Sequence, residues 1–237
     1  MSTEIQKQKE SPFADFPRDT GAADSNFVKS ADRIVRINVD GRAWLKLGSQ
    51  IAHYGDIHFN RLPALKAKGI DEKFLSMMTP LVSAAGKGVV YCATKGWRVR
   101  IIKLAGETVN VAGNELLAFE DSLDFDMFMV STGISVTSGG IFGVKLSGTG
   151  SLAIAVHGDL MVLPVSPGND LNTDPHATVA WTEGLVPTLA TDLSWKTLIG
   201  KGGGEAFQMH FTGSGEVVIQ PSEDSAKFTP KMLKKLL

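Results

Sequence analysis

The chain repeats itself, and that fact limits its fold more than any single motif. When the sequence of 237 residues is displaced by 62, residues 85–123 lie over 147–185 without a gap. Eight of those 39 positions are identical: Gly86/Gly148, Gly88/Gly150, Ala93/Ala155, Gly96/Gly158, Gly106/Gly168, Asn110/Asn172, Ala118/Ala180 and Leu123/Leu185. Average residue usage yields roughly two or three by chance. Four of the eight are glycines, so the repeated property is backbone geometry: positions that need a positive φ or a close approach of strands. A third copy of the opening device is "FTGSGEVVIQ", where Gly213 and Gly215 lie 65 residues beyond Gly148 and Gly150. At the front, "DGRAWLKLGSQIAHY" sets Gly41, Gly48, Ile51, Ala52 and Tyr54 over Gly106, Gly113, Leu116, Leu117 and Phe119. The chain therefore divides into about three units of 62–65 residues, and three such units predict a closed body with pseudo-threefold symmetry.

Each unit reads as strand. "RIVRINV" alternates, and in "WRVRIIKL" Trp97, Val99 and Ile101 share one face while Arg98 and Arg100 point the other way. "SLAIAV" and "GEVVIQ" repeat the pattern. This rhythm argues against a phosphate grip in "KLSGTGSLAIAV": such a loop needs a helix N-terminus after its glycines, and here alternating strand residues follow. The G-x-G device is expected to be a structural turn. "GKGGGE" also misses the phosphate-loop pattern, because Gly202 stands after Lys201 where Ser or Thr is required. Two short helices are predicted as crossovers, "GIDEKFLSMMTP" at 69–80 with Asp71 as N-cap and "TDLSWKTLIG" at 191–200 with Gly200 as C-cap. The fold class is accordingly all-β with one or two short helices, the three repeats forming a β-sandwich or prism.

Residues 1–30 are polar with scattered Pro12, Pro17 and Gly21, and read as a loosely ordered arm before a single β-repeat domain over 31–222. Residues 223–237 form a basic amphipathic tail in which Lys231, Lys234 and Lys235 interleave with Met232, Leu233, Leu236 and Leu237. The first residues resemble neither a secretory signal nor a transit peptide, and no apolar run reaches membrane-spanning length, so the cytoplasm is the expected compartment. Twenty-four basic against 25 acidic side chains leave a net charge of −1, which gives no global attraction for nucleic acid. Cys92 is the only cysteine, which excludes a disulfide framework and a cysteine-rich zinc site.

Candidate chemistry is thin. His53 and His58 flank Asp56, but their odd separation on a strand sends them to opposite faces, so no metal site is assigned. Cys92 lies at an alternating strand position opposite Ile154 of the next unit and reads as a small core residue. No G-x-S-x-G elbow is present. Trp97, Arg98 and Arg100 make a candidate patch for base stacking and phosphate contact, yet the aligned unit has Leu160 and Val162 at the two arginine positions. A repeated-site RNA binder should keep its contacts in every unit. No catalytic residues and no cofactor are assigned.

Three stretches carry a family resemblance: "GGGEAFQMHFTGSGEVVIQ", "SGTGSLAIAV" and "GETVNVAGNELLAFEDSL". Together they are similar, over roughly residues 30–222, to the altered-inheritance-of-mitochondria protein 24 family. The glycine-glutamate-phenylalanine run is the most specific part, which marks Gly203, Gly204 and Glu205 as further candidate binding residues. Family members usually read Gly-Gly-Glu-Gly-[Leu/Phe]-Phe, whereas this chain has Ala206 and then Phe207, one residue shorter. The resemblance implies a fold like that of the tryptophan RNA-binding attenuator protein and brings no assigned enzymatic activity. The expected function is a non-enzymatic scaffold or binding module for protein partners or self-assembly. An RNA- or small-ligand-binding regulator is the alternative. Nucleic acid is not an expected partner of the preferred reading, and the tail could touch a membrane surface.

Overall fold

The computed structural model describes residues 19, 25–61, 81–130, 141–191 and 207–221. All of its regular elements are β-strands. The helix predicted at 69–80, residues 192–200 of the second predicted helix, the tail and residues 203–205 lie outside the described residues, while Thr191, the expected start of the second helix, belongs to a strand. β1 (Phe27–Ala31) falls inside the stretch expected to be a loose arm, because Phe27 buries its ring and the strand pairs antiparallel with β2 (Ile34–Lys46).

Three groups of strands follow, each with its last member in the middle. In the first, β4 (Leu81–Cys92) pairs along its whole length with β2 on one side and β3 (Gln50–Arg61) on the other. In the second, β8 (Ile141–Val156) takes β5 (Arg98–Ala112) on one side and, on the other, β6 (Leu116–Glu120) and β7 (Leu123–Val130). The third is broken at every strand. β14 (Gly215–Ile219) sits between β9 (Met161–Val165) and β11 (Thr178–Thr182), while β13 (Phe207–Gly213) sits between β10 (Leu171–Thr173) and β12 (Leu185–Thr191).

Two short ladders join the groups: β2 with β6, and β5 with β11. The resulting large sheet runs β3-β4-β2-β6-β8-β5-β11-β14-β9, and a second sheet runs β10-β13-β12. The path does not return from β9 to β3, so the closure expected from three units is not made by hydrogen bonds among the described strands. The sheets are large, antiparallel and not closed into a barrel.

The repeated glycines shape the strands rather than end them. Gly86 and Gly148 lie within β4 and β8 at φ of +132° and +109°, and Gly213 ends β13 at +109°. The expected turn is thus a kink inside a continuous strand in the first two cases, and a break only in the third. A side chain at Gly86 would run into the Asp56 carbonyl, and one at Gly213 into the Gly184 carbonyl. In each case a strand bends where its neighbour presses closest. No helix starts at any of the three, which removes the phosphate-grip reading.

Packing divides into three clusters. The first gathers Val35, Ile37, Leu45, Val90 and Cys92, the second Phe119, Leu146, Leu152 and Ile154, and the third Trp181, Met209 and Phe211. β8 serves two of them: Ala153 and Ala155 face the first cluster, while Leu152, Ile154 and Val156 face the second. That division follows from the two-residue period of a strand.

Candidate functional site

The aromatic and basic residues expected as a patch at the start of β5 are each engaged by other neighbours. Trp97 is half-buried, with its ring centroid 3.8 Å from that of His157 and the Lys95 ammonium 4.7 Å from the indole centroid. Arg98 reaches two carboxylates, Asp159 at 3.1 Å and Asp32 at 3.4 Å. The Asp32 carboxyl is held below its usual range by its hydrogen bond from Lys29, aided by the charges of Arg98 and Arg100. Arg100 donates to the Val99 carbonyl at 3.2 Å. A phosphate approaching this patch meets Asp32 and Asp159 as well as the arginines, and the indole is already packed against the His157 ring, tilted by 45°.

A cleft of about 390 Å³ opens between β7, β8 and β12. Trp181 forms its floor, in edge contact with Phe128 at 5.7 Å, and Lys145 and Glu183 close its rim as an ion pair at 2.5 Å. The hydrogen bond from Lys145 holds the Glu183 carboxyl below its usual range, so the rim carries both signs and no net charge.

One buried polar cluster was not foreseen from the sequence. Gln220 accepts the His157 N–H at 2.9 Å, and its amide donates to Glu115 at 3.3 Å and to the His176 carbonyl at 3.5 Å. Lys46 donates to the Asn114 carbonyl beside it. Burial pushes the Glu115 carboxyl up to about 7 against the attraction of Lys46, and burial also lowers the Lys46 ammonium. The cluster ties together segments from all three strand groups, so its geometry is that of a structural clasp. Nothing in "GNELLAF" marks Glu115 as buried; its spacing matches any surface turn.

His53 and His58 are both exposed, the first packed edge-on to Phe59 and the second 3.2 Å from Asp56. Among the described residues no group of three or more His, Cys, Asp or Glu side chains converges as metal ligands would. Cys92 is fully buried and its thiol is pushed up to about 12 by desolvation.

The least expected surface is β3. From Gln50 to Asp56 every residue is exposed, including Ile51 at 53% and Tyr54 at 70%. Among the described strands its backbone is paired on the β4 side alone. At the opposite end of the path, Met161 and Val162 of β9 are also exposed. Edge strands of this length are ordinarily blunted by lysine, proline or a bulge. β9 has Pro164, whereas "QIAHY" in β3 has neither lysine nor proline, and its one irregularity lies at its start, between Gln50 and Ala52. Among the described residues, Ile51 and Tyr54 are exposed large apolar side chains on an edge that no described strand covers.

Comparison with known proteins places these observations in a wider group. The family model described as mitochondrial biogenesis AIM24 matches residues 26–222. The crystal structure of protein SPYM3_0169 from Streptococcus pyogenes is similar, with a TM-score of 0.62 and 21% identity over 89% of this chain and 98% of that one. At that identity the likeness concerns the fold. Among curated proteins no match is found. Among the described residues no helix is long and apolar enough to cross a membrane.

Proposed function

The chain belongs to the AIM24 family, and from that premise we propose that it is a non-enzymatic binding module, a scaffold that offers its β body to a protein partner or to copies of itself. The observation that carries this reading is the bare β3 edge, where Ile51 and Tyr54 are exposed beside backbone that no described strand pairs. β-strand addition is the mode of recognition that such an edge supports: the ladder supplies affinity and the alternate side chains supply selectivity. The non-enzymatic part draws on the state of the candidate nucleophile and charges. Cys92 is buried as a neutral thiol, and the Arg98, Lys145 and Arg42 cations are each matched by a carboxylate.

The test is native mass spectrometry of the protein recovered intact from its own cells, as wild type and as Tyr54→Glu. A complex of defined stoichiometry that is lost with the variant supports the reading. A complex that survives Tyr54→Glu unchanged, or a substrate turned over by the purified protein, overturns it. An RNA-binding regulator draws less support, since Arg98 is shared between Asp32 and Asp159; a salt-dependent mobility shift with RNA would favour it instead.

A further inference from the structure

We propose that the β3 edge is filled by β10 of a second copy of this chain, in a head-to-tail arrangement; this names the partner within the binding-module reading and rests on it. The argument begins with the two ladders that join the strand groups. In the first, Trp44 of β2 stands opposite Phe119 of β6, flanked by Ala43↔Glu120 and Leu45↔Ala118. In the second, Asn110 of β5 stands opposite Trp181 of β11, flanked by Val109↔Thr182 and Val111↔Ala180. Both are antiparallel ladders of three residue pairs, and in both an aromatic residue is buried at the centre. Phe119 is 0% exposed and Trp181 2%.

The repeat alignment assigns the corresponding residues that remain. Tyr54 lies 65 residues before Phe119, which lies 62 before Trp181, and Asn172 lies 62 after Asn110. The strand register moves the β3 correspondence by one residue: Gln50↔Cys92, Ala52↔Tyr91 and His53↔Val90 repeat Leu116↔Ile154, Ala118↔Ala153 and Phe119↔Leu152. His53, next to Tyr54, therefore stands in the place of Phe119, and His53 and Asn172 are the two halves of a third such junction. Among the described residues of one chain they are not paired: there β3 bonds only to β4, and β10 only to β13. Their exposure fits an unfilled junction. His53 and its neighbour Tyr54 are exposed, Tyr54 to 70%; Ile51 is 53% exposed against 0% for its counterpart Leu117, and Asn172 is exposed where Asn110 is buried. Each chain thus carries one donor edge and one acceptor edge, matched in strand position to two junctions already formed inside it. Such an interface is heterologous and generates a ring or a linear chain of copies. Pro164 blunts the β9 part of that edge, while β10 itself, "LNT", has no proline and no charged side chain.

The experiment is sedimentation velocity of the full chain from about 1 µM to about 1 mM, with Tyr54→Glu, Asn172→Glu and an equimolar mixture of the two. Both substitutions fall on exposed side chains, and circular dichroism checks that the β signal is kept; Ile51→Lys serves as a second block of β3. The wild type is expected to exceed the 25.3 kDa of one chain, and each variant alone to fall to one chain. In the mixture, the intact β10 of one variant meets the intact β3 of the other, so a species of two chains is expected and no larger one. A wild type that stays a single chain throughout overturns the proposal. So does an Asn172→Glu protein that remains associated, because that would mean β3 pairs with another β3. A monomeric wild type would leave the binding-module reading to its own test, the Tyr54-dependent complex recovered from cells.

Discussion

The three aligned aromatic positions offer a stability experiment whose magnitudes follow from their surroundings. Phe119 is fully buried between Trp44 and Phe125, with ring centroids 6.2 Å and 5.2 Å away. Trp181 is 2% exposed and makes edge contacts with Phe128 and Phe211 at 5.7 Å and 5.5 Å. Truncating such a side chain loses its transfer free energy and leaves a cavity, together about 3–5 kcal/mol. For a chain of this size each kcal/mol moves the melting temperature by about 2–4 °C, so Phe119→Ala and Trp181→Ala should each lower it by about 6–20 °C. Tyr54 is 70% exposed and meets Tyr91 edge-on at 6.2 Å, so Tyr54→Ala should stay within about 0.5 kcal/mol in a single chain. The assay is urea and thermal denaturation of the three variants at the lowest workable concentration. If Tyr54→Ala at that dilution lost as much as Phe119→Ala, β3 would be covered by its own chain and the argument from exposure would collapse.

Other outcomes follow from single residues. Gly213→Ala should be the costlier of a pair with Gly148→Ala: both sit at φ of +109°, a strain of about 1–2 kcal/mol, but only at Gly213 would the new methyl also meet a backbone carbonyl; comparison of their urea midpoints checks the order. Glu115 should make the fold less stable as pH rises. Its folded value of about 7 lies above the ordinary 4.5, so its contribution is complete below about 4.5 and declines to nothing through about 7, on the order of 3 kcal/mol in all. Glu115→Gln should flatten that slope in denaturation curves taken at pH 4.5, 6 and 8, all three approximate settings around the titration. Cys92 should resist a thiol reagent in the native protein and react fully in urea, since its thiol is buried and neutral; rapid native labelling would contradict its place in the core.

Local geometry was legible in the sequence, and long-range neighbours were not. The glycine repeat pointed to positive φ, and Gly86, Gly148 and Gly213 have it, because glycine's advantage there is a property of the residue itself. Alternation placed Val99 inside and Arg98 and Arg100 toward solvent, and Cys92 proved a core residue. Tyr54 shows where such reasoning stops. Its aligned counterparts Phe119 and Trp181 are buried, yet the register puts His53 in their place, since His53 pairs with Val90 as Phe119 pairs with Leu152, and that shift of one residue turns Tyr54 to the other face of the strand. The same holds for Glu115, buried by Gln220 from 105 residues away. Of the residues singled out as a site, Trp97 is met by His157 and Arg98 by Asp32 and Asp159, partners about 60 residues away in sequence that the local pattern does not announce.

β8 has a mechanical consequence. Because alternate side chains of one strand form the wall of two different apolar interiors, neither compartment can open while the other stays shut. The first two strand groups should therefore melt in a single step. Amide protons of residues 152–156 should be among the last to exchange with heavy water, on the timescale of whole-molecule opening and not of local fraying.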